Sequence, residues 1–421
     1  MKFVIESVSK SSGRLGQLVQ METDRRFRTP LLVQSTKGGS IPYLSREVFE
    51  YINNTIPALQ FSLSTIDHMT DSIKLFNDSL SAYVGYPECL SLLMVRDPCE
   101  VTPSGYNDKN TVPLFTRRGK ETLDAKRYMD VVESLTPDIY QGLCDADTNV
   151  GSSKKRLTKS VHRTTQLMDI CYDRHQNSNN SSKCTLFVPI VGGYSIFARS
   201  DSIKHAKAKG ANATGGYIFE GFHNYGLSAT QIDASQLITV MTHCLKELPA
   251  DKPKMLPGAY TPPVILELIS LGVDIFDTSY AYCATTNFKA FTFSLDITDE
   301  NSAIMDPFLD ITNDGLKEDF TPILASCSCL TCKKHTRAYL YHLYKTNELL
   351  GPILAMIHNL HHLIQFFNII HTCIAEDKLP ELIQHIKLQG CNNAIDYSIK
   401  PNAKTSKNDK GKGFAIIRDG L

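Results

Sequence analysis

At 421 residues the chain could hold two average domains or one αβ-barrel with an appendage, and either choice allows a large core. Lys plus Arg and Asp plus Glu both number 44, so the formal net charge is zero and no strongly basic field exists to hold nucleic acid unaided. Most of the twelve cysteines are scattered and follow no secretory signal, which reads as reduced thiols in a cytosolic protein rather than a disulfide framework.

Residues 1–24 predict a hairpin-like lead-in, two short strands around Ser11-Ser12-Gly13. Eight short apolar runs follow, beginning at Pro30, Ala58, Leu90, Asp138, Leu186, Gly216, Lys254 and Asp274. Amphipathic stretches such as 68–84, 152–174 and 228–247 separate them. Runs of this kind suit a parallel sheet buried on both faces, and eight of them predict a (β/α)8 barrel of the TIM type over residues 25–296, with a doubly wound open sheet as the alternative. Polar residues after the strands, including Asp145, Gly192-Gly193, Gly221 and Asp277, would then lie on the C-terminal rim, where such barrels keep their chemistry. Both carboxylates have a plain structural role open to them, capping the helices that follow or accepting from backbone amides at strand ends. Gly192-Gly193 reads first as a tight turn, and Lys154-Lys155-Arg156 and Lys204 to Lys209 as solvated helix faces.

Residues 297–320 form an acidic insertion, 321–390 a zinc-binding helical subdomain, and 391–421 a C-terminal tail expected to be partly disordered. The most apolar region, Leu349 to Ala375, is broken by Pro352, His358, Asn359, His361, His362, Gln365 and Asn368, which argues against a membrane span. Apolar residues run almost all the way round its helix between Leu360 and Ile370. Phe366 and Phe367 are therefore expected to offer surface to a partner.

The sharpest motif is Cys327-Ser328-Cys329-Leu330-Thr331-Cys332. Three thiols within six residues can converge on one soft tetrahedral cation with a nitrogen as fourth ligand, which predicts a structural Zn2+ site. His335, His342, His358, His361 and His362 are all candidates for that ligand. A bend that gathers the cysteines points Lys333 onward away from the metal, so a histidine returning on a later helix is preferred.

These residues resemble a known family, the tRNA-guanine transglycosylases that insert queuine or its precursor into tRNA. Its segments C-x-C-x-x-C, S-R-A-Y-L-x-H-L and G-P-x-L-A-x-I-H-N-L are matched by Cys327 to Cys332, Thr336-Arg337-Ala338-Tyr339-Leu340-Tyr341-His342-Leu343, and Gly351-Pro352-Ile353-Leu354-Ala355-Met356-Ile357-His358-Asn359-Leu360. The resemblance places the fourth zinc ligand on His358. It extends over about residues 25–375 and implies a nucleophile at Asp277, in Gly272-Val273-Asp274-Ile275-Phe276-Asp277, and a base-recognition carboxylate at Asp145.

The remaining pocket motifs depart from the family pattern. Its D-S-G-G-F-Q is replaced by Leu93 to Glu100, with Asp97 as the one stand-in for the acid. The base-binding Gln of V-Q-G-G falls on Val191, and the first glycine of G-G-L falls on Glu220. The arginine-bearing P-T-R segment is absent from Ser279 to Phe288. A site built to hydrogen-bond a planar base cannot lose these partners and keep its affinity. The resemblance therefore implies a non-catalytic accessory subunit, with Asp277 and Asp145 vestigial. It would pair with a catalytic chain for exchange of guanine by queuine at the wobble position of tRNAs with G-U-N anticodons. A second copy of itself would serve as partner when that chain is absent. The implied location is cytoplasmic, including the surface of the mitochondrial outer membrane. The competing readings are an active transglycosylase with altered base specificity using Asp277, and a zinc-stabilised RNA-binding scaffold.

Overall fold

A computed structural model of the chain describes residues 1–10, 13–179, 183–210, 213–298 and 306–391. In chain order the strands are β1 (Lys2–Val8), β2 (Arg14–Gln20), β3 (Arg25–Thr29), β4 (Leu31–Ser35), β5 (Ala58–Ser62), β6 (Leu90–Met94), β7 (Thr111–Thr116) and β8 (Gly119–Asp124). They continue with β9 (Ile139–Gln141), β10 (Thr185–Ile190), β11 (Thr214–Phe219), β12 (Lys254–Met255), β13 (Ile275–Asp277), β14 (Lys289–Phe291) and β15 (Phe308–Asp310).

Each of the eight expected apolar runs supplies one strand of a closed parallel barrel, ordered β10-β11-β12-β13-β4-β5-β6-β9. Closure pairs Ile275 with Leu31, Phe276 with Leu32 and Asp277 with Val33, which excludes the open sheet. Strands β5, β6, β9, β10 and β13 are buried along their whole length, because helices cover their outer face and the lumen lies inside. Val33, Leu92, Ile139, Phe187, Met255 and Ile275 point into that lumen and pack as a cluster separate from the outer core. Strand alternation then carries Gln141, Glu220 and Asp277 onto the same inward rows, two residues nearer the C-terminal rim.

The lead-in differs from a hairpin. Strand β3 pairs antiparallel with β2, making a three-stranded sheet in the order β1-β2-β3, so the barrel starts at Leu31 rather than at residue 25. Leu18 and Phe27 from this sheet join the lumen cluster and close the barrel's N-terminal end. Arg14, itself buried, pins the sheet by holding Asp274 at 2.7 and 2.6 Å. The expected turn residues Ser11 and Ser12 lie outside the described residues.

Of the acidic insertion, residues 299–305 lie outside the described residues, and β15 folds back antiparallel on β14. The tail from 392 onward is also outside them.

The helix Leu350–Ala375 is long and apolar enough to cross a membrane by length and composition, yet 67% of its most apolar window is buried within the chain. The expectation that Phe366 and Phe367 face a partner fails. Phe366 is 0% and Phe367 3% exposed, packed against Phe293 at 5.8 Å and Phe276 at 6.1 Å respectively. The barrel uses the apolar circumference that the sequence left unassigned. Exposed apolar side chains of this subdomain include instead Leu349 and Leu350 at the helix start, with Leu330 and Leu388 elsewhere on its surface.

Candidate functional site

Every carboxylate that the sequence places at the barrel mouth is committed to a partner within the chain. Asp277, at the end of β13, accepts hydrogen bonds from the Gly258 and Ser279 amides, both at 2.8 Å, and from the Ser279 hydroxyl. Burial pushes its pKa up to about 6, against the pull of those donors. Because the folded chain holds this proton more tightly than a free aspartate at 3.8, the group favours folding most below pH 4. That contribution is lost as pH rises through 6. Two units correspond to about 3 kcal/mol. Denaturation at pH 4 and pH 7 should therefore show the stability difference between wild type and Asp277→Asn swinging by roughly that amount in the variant's favour at the higher pH. Parallel curves would show that the carboxylate is not desolvated.

Asp145 is fully buried and held by Arg156, at 3.0 Å between Nη1 and Oδ2, and by Arg163 at 3.1 Å. Arg156 is thus no member of a solvated face, since its guanidinium turns inward to a charge that has no access to water. Asp97 binds Lys37, whose ammonium also reaches Glu100 at 2.8 Å and lies 4.9 Å from the centre of the Tyr282 ring.

Gly192-Gly193 forms a tight turn. Gly192 has φ 130°, and a Cβ there would meet the Ala198 carbonyl carbon at 2.8 Å. The turn is filled by Arg199, which donates Nε to the Gly193 carbonyl at 2.9 Å and stacks on Phe222 with 3.8 Å to the ring centre.

Glu220 stands where an open loop would need glycine, and it is the hub of the mouth. Its Oε2 accepts from Arg96 Nη2 at 2.5 Å, while Oε1 accepts from Gln141 Nε2 at 2.7 Å and from the Tyr225 hydroxyl at 2.5 Å. The Arg96 guanidinium lies 4.3 Å from the Tyr225 ring centre. A small cavity beside Arg96, Gln141 and Cys144 holds about 20 Å3, room for roughly one water. Arg96, Gln141 and Tyr225 are the residues that reading the sequence missed. The available signal was a pair of opposite charges just past the ends of two barrel strands, β6 and β11, at positions 96 and 220.

The cysteine motif is brought together with one histidine. Cys329 caps the helix Leu330–Lys334, with its sulfur accepting from the Cys332 amide at 3.3 Å, and the Cys327 sulfur accepts from the Cys329 amide at 3.5 Å. Such donors favour thiolates. His358 enters from the helix Leu350–Ala375, its Nδ1 lying 3.7, 3.6 and 3.3 Å from the sulfurs of Cys327, Cys329 and Cys332. Bonds of about 2.3 Å to sulfur and about 2.0 Å to nitrogen at tetrahedral angles put S and N about 3.5 Å apart, so these four atoms fit one zinc-sized ion. His358 Nε2 donates to the Phe291 carbonyl at 2.7 Å, which leaves the Nδ1 lone pair directed at the thiols. The other candidates are otherwise engaged. His335 and His342 both stack on Tyr339, His361 Nε2 pairs with the Ser328 hydroxyl, and His362 packs edge-on against Phe293. Among the described residues this is the one group of its kind.

A family profile described as queuine tRNA-ribosyltransferase matches residues 9–390. The chain belongs to the queuine tRNA-ribosyltransferase family. Curated relatives are similar along their whole length. A protein of Drosophila virilis named "Queuine tRNA-ribosyltransferase accessory subunit 2" is 56% identical over 98% of this chain and 99% of its own length. Proteins of the same name from Drosophila yakuba and Drosophila melanogaster are 57% and 56% identical, each over 99% of both chains. The family match spans both the barrel and the cysteine-histidine cluster, whose four side chains could hold a metal ion. A mouth blocked by the chain's own side chains is the feature that needs a separate explanation.

Proposed function

We propose that this chain is the non-catalytic accessory subunit of a queuine tRNA-ribosyltransferase. It pairs with a catalytic chain of the same family, and the pair exchanges guanine for queuine at the wobble position of tRNAs with G-U-N anticodons. The observation that carries this reading is the mouth of the barrel, where Glu220 is satisfied by the chain's own Arg96, Gln141 and Tyr225 rather than left open to a base. The names of the relatives support the same role. Zero net charge supports RNA binding by the pair rather than by this chain alone.

In this reading Cys327, Cys329, Cys332 and His358 hold a structural zinc. Four protein ligands leave no open position for a reacting water, so the ion's work is to tie the cysteine loop to the long helix. The chain acts in the cytoplasm and at the outer surface of mitochondria as a peripheral protein, which suits a long apolar helix mostly spent on its own core. In the absence of the catalytic chain a second copy takes its place.

The test is incorporation of labelled guanine into tRNA by this chain alone, by the catalytic chain alone and by both. Exchange should require the catalytic chain and rise when both are present. Exchange by this chain alone refutes the proposal. Asp277→Asn should leave the activity of the reconstituted pair within about twofold. A loss of ~10² or more, the scale for an essential catalytic group, would instead make Asp277 a working nucleophile.

A further inference from the structure

We propose that the upper end of the barrel lumen is a recognition site for a planar guanidine-type cation, and that the chain fills it in cis with Arg96. The inference deepens the accessory reading: the mouth is silent because it is occupied. Glu220 supplies the anionic edge, 2.5 Å from Arg96 Nη2. Its second oxygen is held by two neutral donors, Gln141 Nε2 at 2.7 Å and the Tyr225 hydroxyl at 2.5 Å. These fix the plane of the carboxylate and leave its charge to the cation. Tyr225 supplies a face as well as a hydroxyl, with its ring centre 4.3 Å from the guanidinium carbon. A carboxylate edge combined with an aromatic face selects for charge and planarity together, whereas an ammonium could satisfy only the first.

The placement of Tyr225 is bought with backbone strain. Its φ of 65° and ψ of −169° lie in a region used almost solely by glycine, and such strain is typically retained at ligand clamps and switch regions. The conformation is held by the Tyr225 amide, which donates to His223 Nδ1 at 3.0 Å, while His223 Nε2 pairs with the Tyr260 hydroxyl at 2.7 Å. A plain structural ion pair needs neither the stack nor the strain. Arg96 follows β6 by two residues, so its head group is tethered next to the site, and free ligands face a high effective concentration of the internal one.

The experiment is chemical rescue. Arg96→Ala should melt several degrees below wild type, and guanidinium chloride at low millimolar concentration, far below denaturing levels, should raise its Tm by about 2 °C at ten times its Kd. Urea and sodium chloride at equal concentration should not raise it, because one lacks the charge and the other the planar donors. Wild type, with the site filled, should not respond to guanidinium at these levels. Should the alanine variant be insoluble, the readout becomes its refolding yield with guanidinium or urea diluted to the same level, and only guanidinium should help. No response to guanidinium, or an equal response to urea, or the same rise in wild type, overturns the proposal. The base-exchange assay reads the accessory role independently, so failure here leaves that reading standing.

Discussion

Replacing Cys329 by serine is expected to release the metal and to lower the unfolding free energy by about 4 kcal/mol or more, since binding energy at a structural zinc site is largely folding energy. The sulfur is one vertex of the cluster, while its second role, capping the helix that carries Cys332, is one that a serine hydroxyl keeps, so the loss reports on the metal site. Metal content per chain and denaturation with and without a chelator measure the effect. His335→Ala is the control: its ring stacks on Tyr339 rather than joining the cluster, so zinc content should not change. A folded variant lacking all three thiols that still carries one zinc per chain would falsify the ligand assignment.

Phe366→Glu is expected to prevent folding outright, rather than to separate two folded subunits. Removing a buried phenylalanine costs about 3–5 kcal/mol by itself. The new carboxylate would lie among Phe293 and Phe367 in the outer core with no cation to pair it, which adds several more. The sum approaches the whole stability of an ordinary fold, about 5–15 kcal/mol. Loss of soluble protein or of a cooperative melt is the expected result, and a folded variant with an unchanged Tm would show that the ring is not buried. Leu349→Glu provides the contrast. At 57% exposed, this position should accept the charge with normal folding and normal zinc content, so any loss of pairing there reports on a partner surface.

The barrel was legible because its strands are short apolar runs that need helices on one side and a lumen on the other, and each of the eight runs became a strand. The cysteine-histidine cluster was legible because thiol spacing and a returning helix are local facts of sequence. Two things were not. Phe366 and Phe367 form part of an apolar circumference, and periodicity cannot tell which side of it meets the chain's own barrel and which would meet another molecule. Arg96 and Glu220 are more than a hundred positions apart, so nothing in either segment shows that one guanidinium finds one carboxylate. Glu220 looked like a lost glycine when read alone, and the fold shows it as a gained anchor. Arg156 was misassigned for the same reason, because a basic cluster at a helix start looks solvated until Asp145 is placed beneath it.

The way the two ends of the chain meet bears on how it is made. His371, on the long helix, donates Nε2 to the Pro30 carbonyl across 341 positions, and Arg14 reaches Asp274 across 260. The first barrel strand has a neighbour on only one side until β13 has been synthesised, and Gly13 meets Leu379 and Ile374 from a later segment still. During translation, strands rich in valine, leucine and isoleucine must therefore remain unclosed while most of the polypeptide is added, a high-contact-order topology that folds slowly and exposes unpaired edges. Stop codons or truncations upstream of the long helix should yield insoluble fragments rather than a smaller working barrel, and expression of the full chain should respond strongly to temperature and chaperone supply.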